Sequence, residues 1–182
     1  IYPGESIQAK VDAEPPGTRF TIKAGTHELQ SVIPKDGDAF VGDSGAILDG
    51  EGVTAYAFHW VAGRQPSNVL IQGLIIQHYN PPTQLAPIQA GGTVAQYLAG
   101  EGTYGWVIQE CEIRYNSTRG LSIGNHTLVL NNSIHHNGQL GIGGTGDSVI
   151  VQGNDIAYNN YQRAFDPGVE AGGAKFFETN WL

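Results

Sequence analysis

Three segments of the chain repeat one another without gaps: VIQECEIRYN (107–116), LVLNNSIHHN (128–137) and IVQGNDIAYN (150–159). Their shared isoleucines, Ile113, Ile134 and Ile156, stand 21 and 22 residues apart. An earlier segment, LIQGLIIQHYN (70–80), fits as a further copy with one extra residue before Asn80. Gly-rich apolar stretches follow the repeats, GLSIG (120–124) and then LGIGG (140–144). A period near 22 residues marks a solenoid, in which each unit is stable only against its neighbours.

The letters select the kind of solenoid. Between the fixed Val/Ile and Asn positions there is no 3.6-residue apolar spacing, so helical repeats are excluded. The leucine-rich pattern, with its several leucines at set offsets, is missing too. Each unit instead reads as two or three short strands separated by Asn or Gly corners, which describes one coil of a parallel β-helix. The chain is therefore expected to be all-β, a solenoid of about 21–22 residues per coil. Asn tolerates left-handed dihedrals and bonds nearby backbone, so it suits a corner, and stacked corners let Asn amides bond from coil to coil. Two such columns are expected, Asn116/Asn137/Asn159 and Asn132/Asn154, the second capped by Cys111.

The rest of the chain extends the plan over a single domain, 1–182. SIQAKVDAEPPG (6–17) opens as a short amphipathic helix, Ile7 and Val11 being i, i+4, and Pro15-Pro16 stop it. A helix over 6–14 would cap the open end of the core. TRFTIKAGTHEL (18–29), with Gly25 at the bend, DAFVGDSGAILDG (38–50) and VTAYAFHWV (53–61) read as strand pairs. The pattern lapses over 79–104, which is expected to be an inserted loop. Regular coils occupy 105–182. The chain stops in what reads as the opening strand of another coil, an unfinished end that would invite self-association.

Composition sets limits on partners. With 17 acidic and 9 basic residues the formal charge is −8, and no Lys/Arg cluster offers a surface for nucleic acid. No apolar run has membrane-spanning length. The single Cys111 lies within an apolar run and reads as a buried small hydrophobe. No signal peptide is recognisable and the chain holds no Met, as in a processed or trimmed form.

The opening GESIQAKVDAEPPGTRFTIKAGTHELQSVIPKDGDAFVGDSGAILDG and the later GWVIQECEIRYN, GLSIG, LNNSIHHNGQLGIGG, VQGNDIAYNN and FDPGVEAGGAKF resemble the bacterial right-handed parallel β-helix repeat proteins. These belong to the pectate-lyase-like superfold. The resemblance covers essentially the whole chain. It implies a right-handed coil and an extracellular or cell-surface protein that binds or processes polysaccharide. The Asp/Glu calcium ligands and Arg base of pectate lyase chemistry find no matching trio here. No cofactor is expected, calcium being the one left open.

Two regions carry candidate chemistry. His135-His136 occupy positions filled by Arg114-Tyr115 and Ala157-Tyr158 in neighbouring coils, which favours an outer surface over a site. Adjacent strand residues point to opposite faces, so the pair is not expected to ligate a metal. The segment 163–176 breaks the rhythm and gathers Arg163, Asp166, Glu170 and Lys175, two carboxylates near two cations. Such a group suits general acid/base work on a glycoside, and equally a salt-bridged outer loop. The candidate catalytic set is Asp166, Glu170, Lys175, Arg163 and His135. Tyr115, His136, Tyr158 and Trp106 are candidate sugar contacts, although Trp106 also reads as packed under the inserted loop. GGTGDS (143–148) resembles a calcium-binding nonapeptide only loosely and reads as a tight turn. Ser122 and Gly143 make the Gly-rich face flat, better suited to holding a chain than to cutting it. Three functions stay open: a polysaccharide lyase, hydrolase or epimerase, a non-catalytic carbohydrate-binding module, and a structural unit stacking end to end into oligomers or filaments.

Overall fold

Short runs of Val, Ile and Leu bounded by corner residues each form a strand, and every strand pairs in parallel with its counterpart one coil away. The computed structural model of the protein describes residues 1–177 and Thr179. Its strands fall into three parallel sheets. The first stacks Arg19–Ile22, Ala39–Gly42, Leu70–Gln72, Val107–Gln109, Leu128–Leu130 and Ile150–Gln152 in that order. The second stacks Gly25–Glu28, Ala46–Asp49, Ile75–Gln77, Glu112–Arg114, Ser133–His135 and Asp155–Ala157. The third holds Ile88–Gln89, Leu121–Ile123, Leu140–Gly144 and Gly172–Phe176.

The register follows the repeat. Ile76 pairs with Ile113, Ile113 with Ile134 and Ile134 with Ile156, and Ile71, Ile108 and Val129 form the matching row in the first sheet. Side chains alternate across a strand, so these rows face inward and stack along the axis. The core is one continuous column from Ile7 and Phe20 to Ile142 and Val149. Phe20, Phe40 and Phe58 stack within it, with centroids 5.2 and 4.9 Å apart.

The corners are closed by side-chain amides. Asn116 Nδ2 donates to Asn137 Oδ1 at 2.9 Å, and Asn137 Nδ2 donates to Asn159 Oδ1 at 3.0 Å. At the other corner Asn132 Nδ2 donates to Asn154 Oδ1 at 2.9 Å, and Asn132 Oδ1 accepts from the Cys111 N–H. The register puts Tyr79, not Asn80, one coil before Asn116. There its ring is buried and its hydroxyl donates to Gln30 O at 2.9 Å.

Helix Ile7–Ala13 covers the start of the column, with Ser6 as N-cap and Ile7 and Val11 buried. The 79–104 segment is more than an inserted loop. Ile88–Gln89 within it is a strand of the third sheet, and Thr93 starts a short helix, Val94–Leu98, with a capping box. It is tied down by Thr118 Oγ1 donating to Leu85 O at 2.6 Å and by Trp60 Nε1 donating to Gly91 O at 3.0 Å. Trp106, taken from sequence as a candidate sugar contact, is wholly buried, and its indole N–H donates to Pro66 O at 2.7 Å. That correction has a simple cause: Trp106 stands directly before a strand whose residues join the core column. Among the described residues no helix is long and apolar enough to cross a membrane.

Candidate functional site

The third sheet presents its outward row as Gln89, Ser122, Gly143 and Lys175, one residue per coil. Leu121 and Ile123 belong to the core, so Ser122 between them faces away from it. Ser122 is nevertheless buried, and its Oγ has no hydrogen-bond partner among the described residues. What fills this face is Arg119, brought in from the corner that precedes the strand. A Cβ on Gly143 would stand 3.1 Å from Nε, Cζ and Nη1 of Arg119, so the guanidinium lies across that glycine. The flatness noticed in the sequence is thus the bed of a charge.

Arg119 is only 7% exposed. Its Nη2 donates to Gln84 Oε1 of the tied-down segment and lies 3.8 Å from Glu170 Oε2, while its buried Nε has no partner among the described residues. Glu170 also receives Lys175 Nζ at 3.0 Å, and Lys175 stands over the Phe177 ring. One carboxylate therefore sits between two cations, leaving the cluster one positive charge in a chain of net −8. Burial pushes the Arg119 pKa below its ordinary value, and Glu170 opposes that shift. Gln84, Arg119 and Glu170 help to wall a cleft of about 370 Å³, together with Thr93, Thr145 and Phe177. A guanidinium in the wall of an open cleft suits a planar, acidic acceptor.

A second feature runs along the corner after the second sheet. His78, Tyr115, His136 and Tyr158 occupy one position in four successive coils, and their rings stack with centroids 6.2, 5.3 and 5.2 Å apart. Polar groups flank the rings. Asp49 accepts from His78 Nδ1 at 2.9 Å and from Gln77 Nε2 at 2.8 Å. Glu112 accepts from Arg114 Nη1 at 2.6 Å and lies 3.2 Å from His135 Nε2. The two histidines meet through their Nδ1 atoms at 2.8 Å. Both contacts are satisfied with His135 donating from Nε2 to Glu112 and His136 donating from Nδ1 to His135 Nδ1. Glu112 and His136 lie on opposite sides of the His135 ring, so they do not converge on one ion.

Comparison with known proteins bears on this architecture. Residues 95–180 match the model of the family described as right handed beta helix region. The chain is a right-handed parallel β-helix. No curated protein and no solved structure gives a significant match to it.

Within the β-helix, the residues singled out from sequence fall into separate places. Glu170, in the cleft wall, pairs with Lys175. Asp166 instead caps its own turn, Oδ1 accepting from the Gly168 N–H at 2.8 Å. Arg163 is an exposed left-handed turn residue, its N–H donating to Asn160 O. Neither makes a side-chain bond to Glu170 or Lys175. His135 belongs to the aromatic corner with Tyr115, His136 and Tyr158, as a flanking partner and apart from the cleft's ion pairs. Among the described residues of the β-helix, no group of three or more His, Cys, Asp or Glu is placed to hold a metal ion. Arg119 was missed because it lies outside the quoted repeats. Its signal was nonetheless present: the same register position one coil on holds the buried Leu140, and a charge there asks for a reason.

Proposed function

We propose that this β-helix binds polysaccharide across its third sheet, with the cleft of Arg119 and Glu170, the latter paired to Lys175, receiving an acidic group on the sugar. The observation that carries the reading is Arg119, a guanidinium nine-tenths buried in the wall of an open cleft, its Nε without an acceptor among the described residues. An evolved interior does not hold a desolvated guanidinium without partners for its donors. A carboxylate in the cleft would pair with the guanidinium charge and balance the excess positive charge. With polysaccharide as ligand, the protein works outside the cell or at its surface.

Contact between Glu170 and Lys175 favours a second reading, in which the pair moves a proton during cleavage or epimerisation of the bound chain. One experiment addresses both. Oligomers of galacturonate, mannuronate/guluronate and glucuronate-containing chains are titrated calorimetrically against the native protein, Arg119→Lys and Glu170→Gln, and the mixtures are then assayed for products. At least one acidic oligomer should bind, and Arg119→Lys should weaken it about tenfold or more, because lysine cannot present two N–H groups side by side. Equal affinity in Arg119→Lys, or no acidic binder, refutes the binding reading. Product formation abolished by Glu170→Gln would add the enzymatic one.

A further inference from the structure

The three corners of the coil demand the same left-handed backbone, but they fill it differently. Before the first sheet the position is taken by Gly37, Asn68, Gly105, His126 and Ser148. Between the first and second sheets it is Gly73, Glu110, Asn131 and Gly153. After the second sheet it is His78, Tyr115, His136 and Tyr158, at φ 56, 53, 54 and 52°. Glycine and asparagine bear this conformation at least cost, and a ring-bearing residue gains nothing from it locally. Four rings in four consecutive coils therefore make a surface, not merely a turn.

That surface is one wall of a concavity. Tyr161, from the loop that breaks the repeat, turns its ring edge-on to Tyr115 at 6.1 Å and to His136 at 6.0 Å. Between them lies a groove of about 430 Å³ that runs on to Glu51. Tyr115 and Tyr161 are 40% and 44% exposed, so both rings remain accessible to a ligand. The polar lining has capacity to spare, since the side chains of Glu51, Asn80 and Ser117 make no hydrogen bond among the described residues. Among the described residues of the lining, Glu51 is the one formally charged side chain, and no Lys or Arg joins it.

We infer that this groove is a second carbohydrate site, one that takes an uncharged sugar segment. Sugar rings offer C–H faces to aromatic rings and hydroxyls that both donate and accept, matching Tyr115 and Tyr161 on one hand and Glu51, Asn80 and Ser117 on the other. The carboxylate of Glu51 repels an acidic sugar and accepts from hydroxyls. Charge thus assigns different ligands to the two depressions: acidic at Arg119, neutral at Tyr115. The inference stands on the groove alone and does not depend on what the Arg119 cleft binds.

The test titrates xylohexaose, mannohexaose and cellohexaose into the native protein, Tyr115→Ala, Tyr161→Ala, Glu51→Gln and Arg119→Lys, with circular dichroism and thermal unfolding as checks on folding. At least one neutral hexaose should bind. Affinity should fall about tenfold or more in each tyrosine variant and several-fold in Glu51→Gln, while Arg119→Lys leaves it unchanged. Tyr161→Ala and Glu51→Gln alter exposed side chains, so they keep the test decisive if Tyr115→Ala unfolds. Absence of any neutral binder, or binding indifferent to Tyr161 and Glu51, overturns the assignment. So does tight binding of tetramethylammonium without any sugar, which would make the groove a cation cage. Loss in Arg119→Lys alone would assign the sugar to the other cleft.

Discussion

Replacing Asn137 by alanine tests how far the corner amides hold the coils together. Asn137 is fully buried, and its side chain takes part in four hydrogen bonds. Oδ1 accepts from the Asn116 N–H at 3.2 Å and from Asn116 Nδ2 at 2.9 Å. Nδ2 donates to Ile113 O at 3.1 Å and to Asn159 Oδ1 at 3.0 Å. At a net ~1 kcal/mol per bond, with buried partners left unmatched in the variant, Asn137→Ala should cost about 4 kcal/mol. A domain typically has only about 5–15 kcal/mol to lose, so the shift is large. Urea unfolding followed by the fluorescence of the buried Trp60 and Trp106 should show a much lower midpoint. Asn159→Ala provides the comparison, because Asn159 is only partly buried and its side chain makes three such bonds, so it should lose less. If Asn137→Ala stays within about 0.5 kcal/mol of the parent, or Asn159→Ala is the more damaging, the amides are not what fastens these corners.

Three further outcomes are expected. Cys111 is buried and its thiol is pushed up to about 12 by that burial, so a thiol reagent at pH 8 should leave the native protein unlabelled and react once with the unfolded chain. Burial raises the Asp49 pKa, but bonds from Gln77, the Glu51 N–H and His78 outweigh it and hold the carboxyl below its usual range. A group lowered on folding stabilises above its unfolded pKa, and that contribution is lost as pH falls through the folded value. Unfolding free energy should therefore fall as pH drops below about 4 in the native protein, and fall less in Asp49→Asn. Gly143→Ala would set a methyl 3.1 Å from three atoms of the Arg119 guanidinium. It should weaken acidic-oligomer binding while leaving thermal stability nearly unchanged, and unaltered affinity would show that the guanidinium position is unimportant.

The coil architecture was legible because a parallel β-helix writes its register into the sequence: Ile113, Ile134 and Ile156 are spaced by one circuit and pair directly. Where residues leave that rhythm, legibility fails for two different reasons. Ile88–Gln89 is too short to show a pattern, so its place in the third sheet emerges only from its pairing with Leu121–Ser122. Glu170 and Lys175 are close in sequence and meet, but their partner Arg119 lies about two coils earlier, and only folding brings it over Gly143. The aromatic corner was half visible. Tyr115, His136 and Tyr158 align in the repeats, whereas the wall opposite, Tyr161, belongs to the interruption and has no counterpart in other coils.

The shared left-handed corner also fixes how such a gene can change. Glu110 and Asn131 hold the same conformation at equivalent points of adjacent coils. A crossover joining the chain before Glu110 to the chain from Asn131 onward excises one circuit and returns each inward isoleucine to a place above another. Loss of a single residue at the same spot turns core side chains outward for the remainder of that strand. Heritable length variation in this protein should therefore come in whole circuits, with stray insertions confined to stretches such as 79–104 and 160–171 that already stand outside the count.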